Sequence, residues 1–266
     1  MPQNEFGIEN ANGNAPIWCV YQISALNSRI MKKGTLYLIP VPLATSAIDD
    51  VSPSNLRALI ASLNVFVVEN AKTARQWLKW YGHPAELRQL NIHELKQSDG
   101  ADQFAAYVAP MLRGENVGLM SEAGCPGVAD PGANVVRAAH REGIRVTPLV
   151  GPSSLLLALM ASGLNGQRFT FHGYLPVDRN ERAKAISALE QQSRRDQETQ
   201  IFIETPYRNA LLLKALMENC NRQTLLCLAA DMTGAEEMIA TRTIGEWQEE
   251  NPNLDKRPTV FLLLAT

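Results

Sequence analysis

From Gly34 onward the chain alternates short apolar runs with longer segments of helical spacing, and this alternation limits the fold more than any other feature. TLYLIPV (35–41), NVFVVEN (64–70), VGLMSE (117–122) and IRVTPLV (144–150) have the length and composition of buried strands. Between them the spacing predicts helices over about 53–63, in KTARQWLKWYG, in ADQFAAYVAPMLRG despite Pro110, and in ANVVRAAHREG, with a loop running through Asp99. Parallel neighbours need a crossover, so strand and helix in alternation imply a largely parallel sheet covered on both faces. A second block carries RFTFHGYLP, a charged helix near 179–195, TQIFIETP, the helix YRNALLLKALMENC, and the strands QTLLCLAADM and TVFLLLAT. The expected fold class is α/β, with a mostly parallel N-terminal sheet and a mixed C-terminal sheet. At 266 residues two domains are affordable: an N-terminal extension 1–33, an α/β domain 34–162, and a second α/β domain 163–266 that begins at the linker GLNGQ.

The connections are less ordinary than the elements. VGLMSEAGCPGVADPGANVV, residues 117–136, places Gly, Pro and two carboxylates between a strand and a helix that a short polar turn could join. Three other loops share this character: PVPLAT (40–45), GPSS (151–154) and ETPYR (204–208). Glycine permits close backbone approach and proline fixes φ, so these loops are shaped. Any one of them alone reads as a turn. All four follow buried-looking strands, at the edge where open α/β sheets bind ligands.

Several function classes lack their signatures. No G-x-G-x-x-G follows the first strand, and no Walker loop is present. Cys19, Cys125, Cys220 and Cys227 have no metal-ligand spacing, and His83, His93, His140 and His172 are scattered, so the expectation is reduced thiols and no metal. No apolar run approaches the roughly 20 residues of a membrane span. The start, MPQNEFGIENANGNAP, lacks a basic, apolar leader, which predicts a cytoplasmic protein. WCVYQI (18–23) is a weak strand candidate in a segment expected to be dispensable.

TLYLIPVPL, SEAGCPGVADPG, PLVGPSSLLLALMASGL, RFTFHGYLP and IFIETPYR, in this order from Gly34 to the C-terminus, resemble the tetrapyrrole methylase superfamily of S-adenosylmethionine-dependent methyltransferases. Within it they are most similar to the branch that methylates a cytidine ribose 2′-hydroxyl in small-subunit ribosomal RNA. The resemblance implies a two-domain tetrapyrrole-methylase-like fold, S-adenosyl-L-methionine in the cleft between the domains, and a homodimer. It also implies a cofactor wall made by Pro42, Leu43, Gly124, Cys125, Pro126, Val128, Ser153, Ser154, Tyr207 and Ala230. Ser153 and Ser154 are equally placed to cap the following helix, and Asp130 is favoured as a structural carboxylate at a helix start.

The chain departs from the family pattern at three places. Pro-Ile-Gly-Asn is Pro42-Leu43-Ala44-Thr45, Glu-Asp-Thr-Arg is Glu69-Asn70-Ala71-Lys72, and Ala-Arg-Glu-Leu-Thr is Ala229-Ala230-Asp231-Met232-Thr233. In Glu-Ser-Pro-His-Arg, Tyr207 replaces His while Glu204, Pro206 and Arg208 are kept. These changes predict an acceptor, RNA or a small molecule, other than the ribosomal cytidine. A cofactor-binding regulatory protein without catalysis is the reading from another class. Methyl transfer to a hydroxyl needs an in-line nucleophile and a group to take its proton, for which Glu69, Glu122, Glu204 and Asp231 are candidates. Lys72, Arg75 and Lys79 beside Trp77 and Trp80 make either a solvated helix face or a surface for RNA.

Overall fold

The computed structural model describes residues 32–44, 52–250 and 252–265. WCVYQI, nearly all of the N-terminal extension and Thr45 lie outside these residues. The first half runs β1 (Thr35–Ile39), α1 (Ser54–Ala61), β2 (Val65–Val68), α2 (Ala71–Trp80), β3 (Asn91–Glu94), α3 (Ala101–Leu112), β4 (Val117–Met120), α4 (Gly132–Arg141) and β5 (Arg145–Pro148). These strands form one sheet in the order β3-β2-β4-β1-β5, every pair parallel. Period-two alternation sends Ile39, Phe66, Val68 and Met120 to α1 and α2, and Leu36, Val65, Val67, Val117 and Leu119 to α3 and α4. Both faces are therefore dry, which is why the strands are continuous apolar runs.

The chain continues through α5 (Ser154–Ser162), β6 (Phe169–Tyr174), α6 (Arg179–Asp196), β7 (Thr199–Ile203), a 3-10 turn (Pro206–Arg208), α7 (Asn209–Asn219), β8 (Leu225–Ala230), β9 (Met238–Thr243), α8 (Ile244–Glu250) and β10 (Thr259–Leu264). The second sheet has the order β6-β7-β10-β8-β9, parallel only between β6 and β7. One face packs on α6, α7 and α8 through Ile186, Leu212, Leu216 and Trp247. Ala158 and Leu159 of α5 cover the other face, against Ile201, Cys227, Val260 and Leu262. This is the expected pairing of a parallel sheet with a mixed one. No helix among the described residues is long and apolar enough to cross a membrane.

Three elements have no counterpart in the sequence reading. β3 lies in the stretch expected to be loop, and β9 and α8 fill the interval before the last strand. β3 and β9 are edge strands that bury little side-chain surface, NIHE and MIATRT, so neither carries an apolar run to be read.

Candidate functional site

β1 and β4 lie side by side, but the chain leaves β1 toward β2 on one flank and leaves β4 toward β5 on the other. The loops after them diverge and open a crevice at the carboxyl edge, the switch point of an open α/β sheet. They are stitched together where they part. Val41 N–H donates to Gly124 O at 2.9 Å, and Gly124 N–H donates to Val41 O at 3.1 Å. Gly124 sits at φ +70°, and an added Cβ would stand 3.2 Å from Leu43 Cδ2. Below, the buried Tyr81 hydroxyl donates to Pro40 O at 2.6 Å. Beside it, a Cβ on Gly151 would fall 2.2 Å from Pro40 Cγ, so only glycine lets GPSS lie against the loop after β1. The loop 121–132 is braced by Asp130, whose Oδ1 accepts from Gly132 N at 2.7 Å and whose Oδ2 accepts from Gly127 N at 2.8 Å. Three of the four shaped loops of the sequence are thus one construction, and the fourth, ETPYR, follows β7 of the second sheet.

This construction faces the edge of the second sheet across a cavity of about 540 Å³. Of the expected cofactor residues, Leu43, Gly124, Cys125, Val128, Ser153 and Ser154 line it, and so do the candidate carboxylates Glu69, Glu204 and Asp231. Four expected residues are not on the wall. Pro42 and Pro126 are buried in the loops that form it, and Tyr207 is exposed outside it. Ala230 follows Ala229 in β8, and alternation turns it into the core shared with α6, α7 and α8. Ser153 is the N-cap residue of α5 but makes no side-chain cap bond, so the capping alternative is not realised. Sequence reasoning did not single out Phe171, Tyr174, Met232 or Val260, which complete the far wall. The stretch RFTFHGYLP was a motif, but nothing in its pattern told which residues face a ligand.

The wall is acidic. Glu69, Asp130, Glu204 and Asp231 contribute to it, with no lysine or arginine among the described lining residues. Two of these carboxylates have partners set behind the wall. Glu204, with a side chain 2% exposed, receives Arg208 Nη2 at 2.6 Å and Nε at 3.0 Å, and Asp231 receives Arg257 Nε at 2.5 Å. Glu69 Oε2 accepts from Glu122 N at 3.0 Å. Burial raises the Asp130 carboxyl above its ordinary pKa, opposed by the amides of Gly132 and Gly127. Glu122 is raised by partial burial and by its neighbours Glu69 and Glu94. Burial also pushes the Cys125 thiol up, so it stays a neutral donor, 3.3 Å from Pro152 O. Ala129 at φ +61° and Asp231 at φ +49° are non-glycine residues in the left-handed region on the cavity wall. A cation is favoured in such a cavity and an isolated anion is not.

The departures from the family pattern take a structural meaning here. Asn70 Oδ1 caps α2, accepting from Lys72 N and Thr73 N at 3.0 Å each, a task aspartate performs equally. Ala229 and Ala230 are buried in the two faces of the second sheet. Neither Asn70 nor Ala230 lines the cavity.

Residues 35–248 match the family of Tetrapyrrole (Corrin/Porphyrin) Methylases. The protein named "Ribosomal RNA small subunit methyltransferase I" of Escherichia coli O157:H7 is 31% identical over 87% of this chain and 78% of its own length. The protein of the same name in Mesorhizobium japonicum is 34% identical over 79% of this chain and 67% of its own. Among solved structures, the methyltransferase CobJ superposes with a TM-score of 0.56 at 19% identity, covering 88% of this chain and 94% of that one. Diphthine synthase gives 0.59 at 15% identity, over 87% and 90%. These two likenesses establish the fold, and together with the match over most of the sequence they place the chain among the tetrapyrrole methylases, as an S-adenosylmethionine-dependent methyltransferase.

Proposed function

We propose that this protein transfers the methyl group of S-adenosylmethionine to RNA, and that the donor lies in the cavity between the two sheets. The acidic wall, without lysine or arginine among its described residues, carries the first part of this reading. A donor with a sulfonium and an ammonium group is cationic at its reactive end and apolar or planar elsewhere. The wall offers carboxylates alongside Leu43, Val128 and Ile203, and its volume lies within the roughly 300–1,000 Å³ of small-molecule sites. Gly124 brings backbone to the surface where a side chain would intrude.

When bound, the donor supplies an activated methyl on sulfur. The chain contributes position, exclusion of water and a place for the acceptor's proton. Leu43, Gly124, Cys125 and Val128 would hold the donor by apolar and backbone contact, with Ser153 and Ser154 offering hydroxyls across the cleft. Of the three candidate bases, Glu204 and Asp231 are committed to arginines. Glu69 accepts from the Glu122 amide and has no ion pair among the described residues, so we assign it to orient the acceptor hydroxyl.

RNA as acceptor is supported by the names of the relatives and by the positions of Asn70 and Ala230 off the cavity wall, which weakens the argument for a different substrate class. The test is to incubate the purified protein with methyl-tritiated donor and, separately, small ribosomal subunits, free ribosomal RNA and the low-molecular-weight fraction of a cell extract. Label in RNA is expected. Label confined to the small-molecule fraction would overturn the RNA reading and leave methyl transfer standing.

We further propose a cytoplasmic homodimer of two-domain chains. Val150, Leu156 and Met160 support the dimer, since they leave an apolar strip exposed at and beside α5. The domains would divide at the 163–167 segment, with α5 reaching across it to seat on the second sheet. A monomer in light scattering would remove the dimer.

A further inference from the structure

β6 and β7 pair in parallel with Phe171 opposite Ile201, and the next pair is Tyr174 opposite Ile203. Three steps along β6 thus match two along β7, which is a bulge of one residue. Gly173 sits inside it at φ +66°, with no atom within 4 Å of where its Cβ would stand, so conformation and not space calls for glycine there. In a regular strand residues 171 and 174 would point to opposite faces. With the bulge both line the cavity, while His172 turns to Gln200 Oε1 at 2.5 Å. The distortion therefore has a definite product: it aims Tyr174 at the cavity.

Tyr174 is not a deep wall residue. It is 56% exposed although it lines the cavity, so its ring stands at the mouth. Tyr207, 76% exposed, follows Pro206 of the same wall, just beyond the end of the neighbouring strand. Neither hydroxyl has a hydrogen-bond partner among the described residues. A solvent-facing tyrosine at the mouth, beside an interior already lined by Phe171, offers flat apolar surface to something that arrives from outside.

We propose that Tyr174 is the platform on which the acceptor nucleobase stacks. This rests on the RNA reading above. A base splayed from a single strand presents a π-face that stacks on tyrosine whatever its sequence, and stacking there would hold the acceptor nucleotide at the cavity mouth. Tyr174 is a positioning residue for the acceptor.

The experiment compares wild type, Tyr174→Leu and Tyr174→Phe, each checked for an unchanged melting temperature. Donor affinity is measured by calorimetry. RNA affinity is measured by anisotropy of a fluorescein-labelled oligocytidylate and of an abasic ribose-phosphate oligomer of equal length. Loss of the ring should weaken oligocytidylate binding about ten- to a hundredfold, the worth of one base–aromatic stack, with phenylalanine near wild type. The abasic oligomer and the donor should bind all three proteins alike. Oligocytidylate binding unchanged by leucine overturns the stack and leaves the RNA reading intact. Parallel loss of donor and oligocytidylate assigns the ring to the donor site and also overturns it. A wild type that binds the donor but no RNA overturns the RNA reading, and the stack with it.

Discussion

Gly124 is where sequence, backbone and cavity meet, and substitution there separates strain from volume. At φ +70° an alanine enters the left-handed region, at a cost of roughly 1–2 kcal/mol. Its Cβ, 3.2 Å from Leu43 Cδ2, asks only a small shift of a flexible methyl. The backbone cannot relax toward negative φ without releasing the two bonds to Val41, each worth about 1 kcal/mol. Gly124→Ala should therefore lose about 1–2 kcal/mol, or about 2–8 °C in Tm at roughly 2–4 °C per kcal/mol for a chain of this class. Gly124→Val adds two methyl groups beside Leu43 and Pro152 O, the latter 3.6 Å from the Cβ position, and should abolish donor binding while the protein still folds. Differential scanning fluorimetry with and without S-adenosylmethionine reads both effects. Wild type should gain about 2.7 kcal/mol at a hundredfold excess over Kd, and the valine variant nothing. Wild-type donor affinity in Gly124→Val would show that the loop is only structural, and an unchanged Tm in Gly124→Ala would refute the strain argument.

Tyr81→Phe should cost about 1–3 kcal/mol, because it leaves Pro40 O without its buried donor. Burial pushes the Tyr81 pKa to about 12, so the folded state holds a proton that the unfolded chain releases above pH 10. The tyrosine's contribution is full below pH 10 and is lost as pH rises toward 12, and urea midpoints measured between those limits should fall less steeply for the phenylalanine variant. Asn70→Ala should lose about 1 kcal/mol as the α2 cap disappears, and Asn70→Asp should retain it, with melting temperature as the readout. Gly151→Ala should cost about 1–3 kcal/mol by overpacking against Pro40 and weaken donor binding in calorimetry, and an unaffected variant would mean that the two loops are not locked by this contact.

The central strands β1, β2 and β4 were legible because they are covered on both faces, so they are almost wholly apolar. β3 and β9 were not: unlike the edge strands β5 and β6, which sit in IRVTPLV and RFTFHGYLP, NIHE and MIATRT carry no apolar run, and their pairing leaves no other trace in the sequence. The same distinction governs the site. Leu43, Gly124, Cys125, Val128, Ser153 and Ser154 lie in loops whose Gly and Pro content announces a shaped backbone. Ala230 was misplaced by one step of alternation, since its position depends on the β8 register with β10 and not on its motif. Tyr174 needed the bulge at Gly173, a feature of pairing with β7 that no single-strand pattern contains.

Changes within a motif say little about the acceptor until the direction of each side chain is known. Asn70 looked like a lost acid facing a substrate, and it is a helix cap whose oxygen points at backbone amides. Ala44 stands where the family pattern has glycine, and the structure meets its methyl with Gly234, where a Cβ would come within 3.2 Å of the Ala44 Cβ. One change is thus absorbed by a small residue across the cavity rim. Asp231 stands where the pattern has glutamate, and its carboxylate is held by Arg257 at the cavity wall. What reaches solvent is different in kind: Tyr207 replaces histidine and shows three quarters of its surface. Specificity that distinguishes this chain from its relatives is thus expected at the cavity mouth beside Tyr174, where a change of ring alters what can dock without disturbing the acidic cavity behind it.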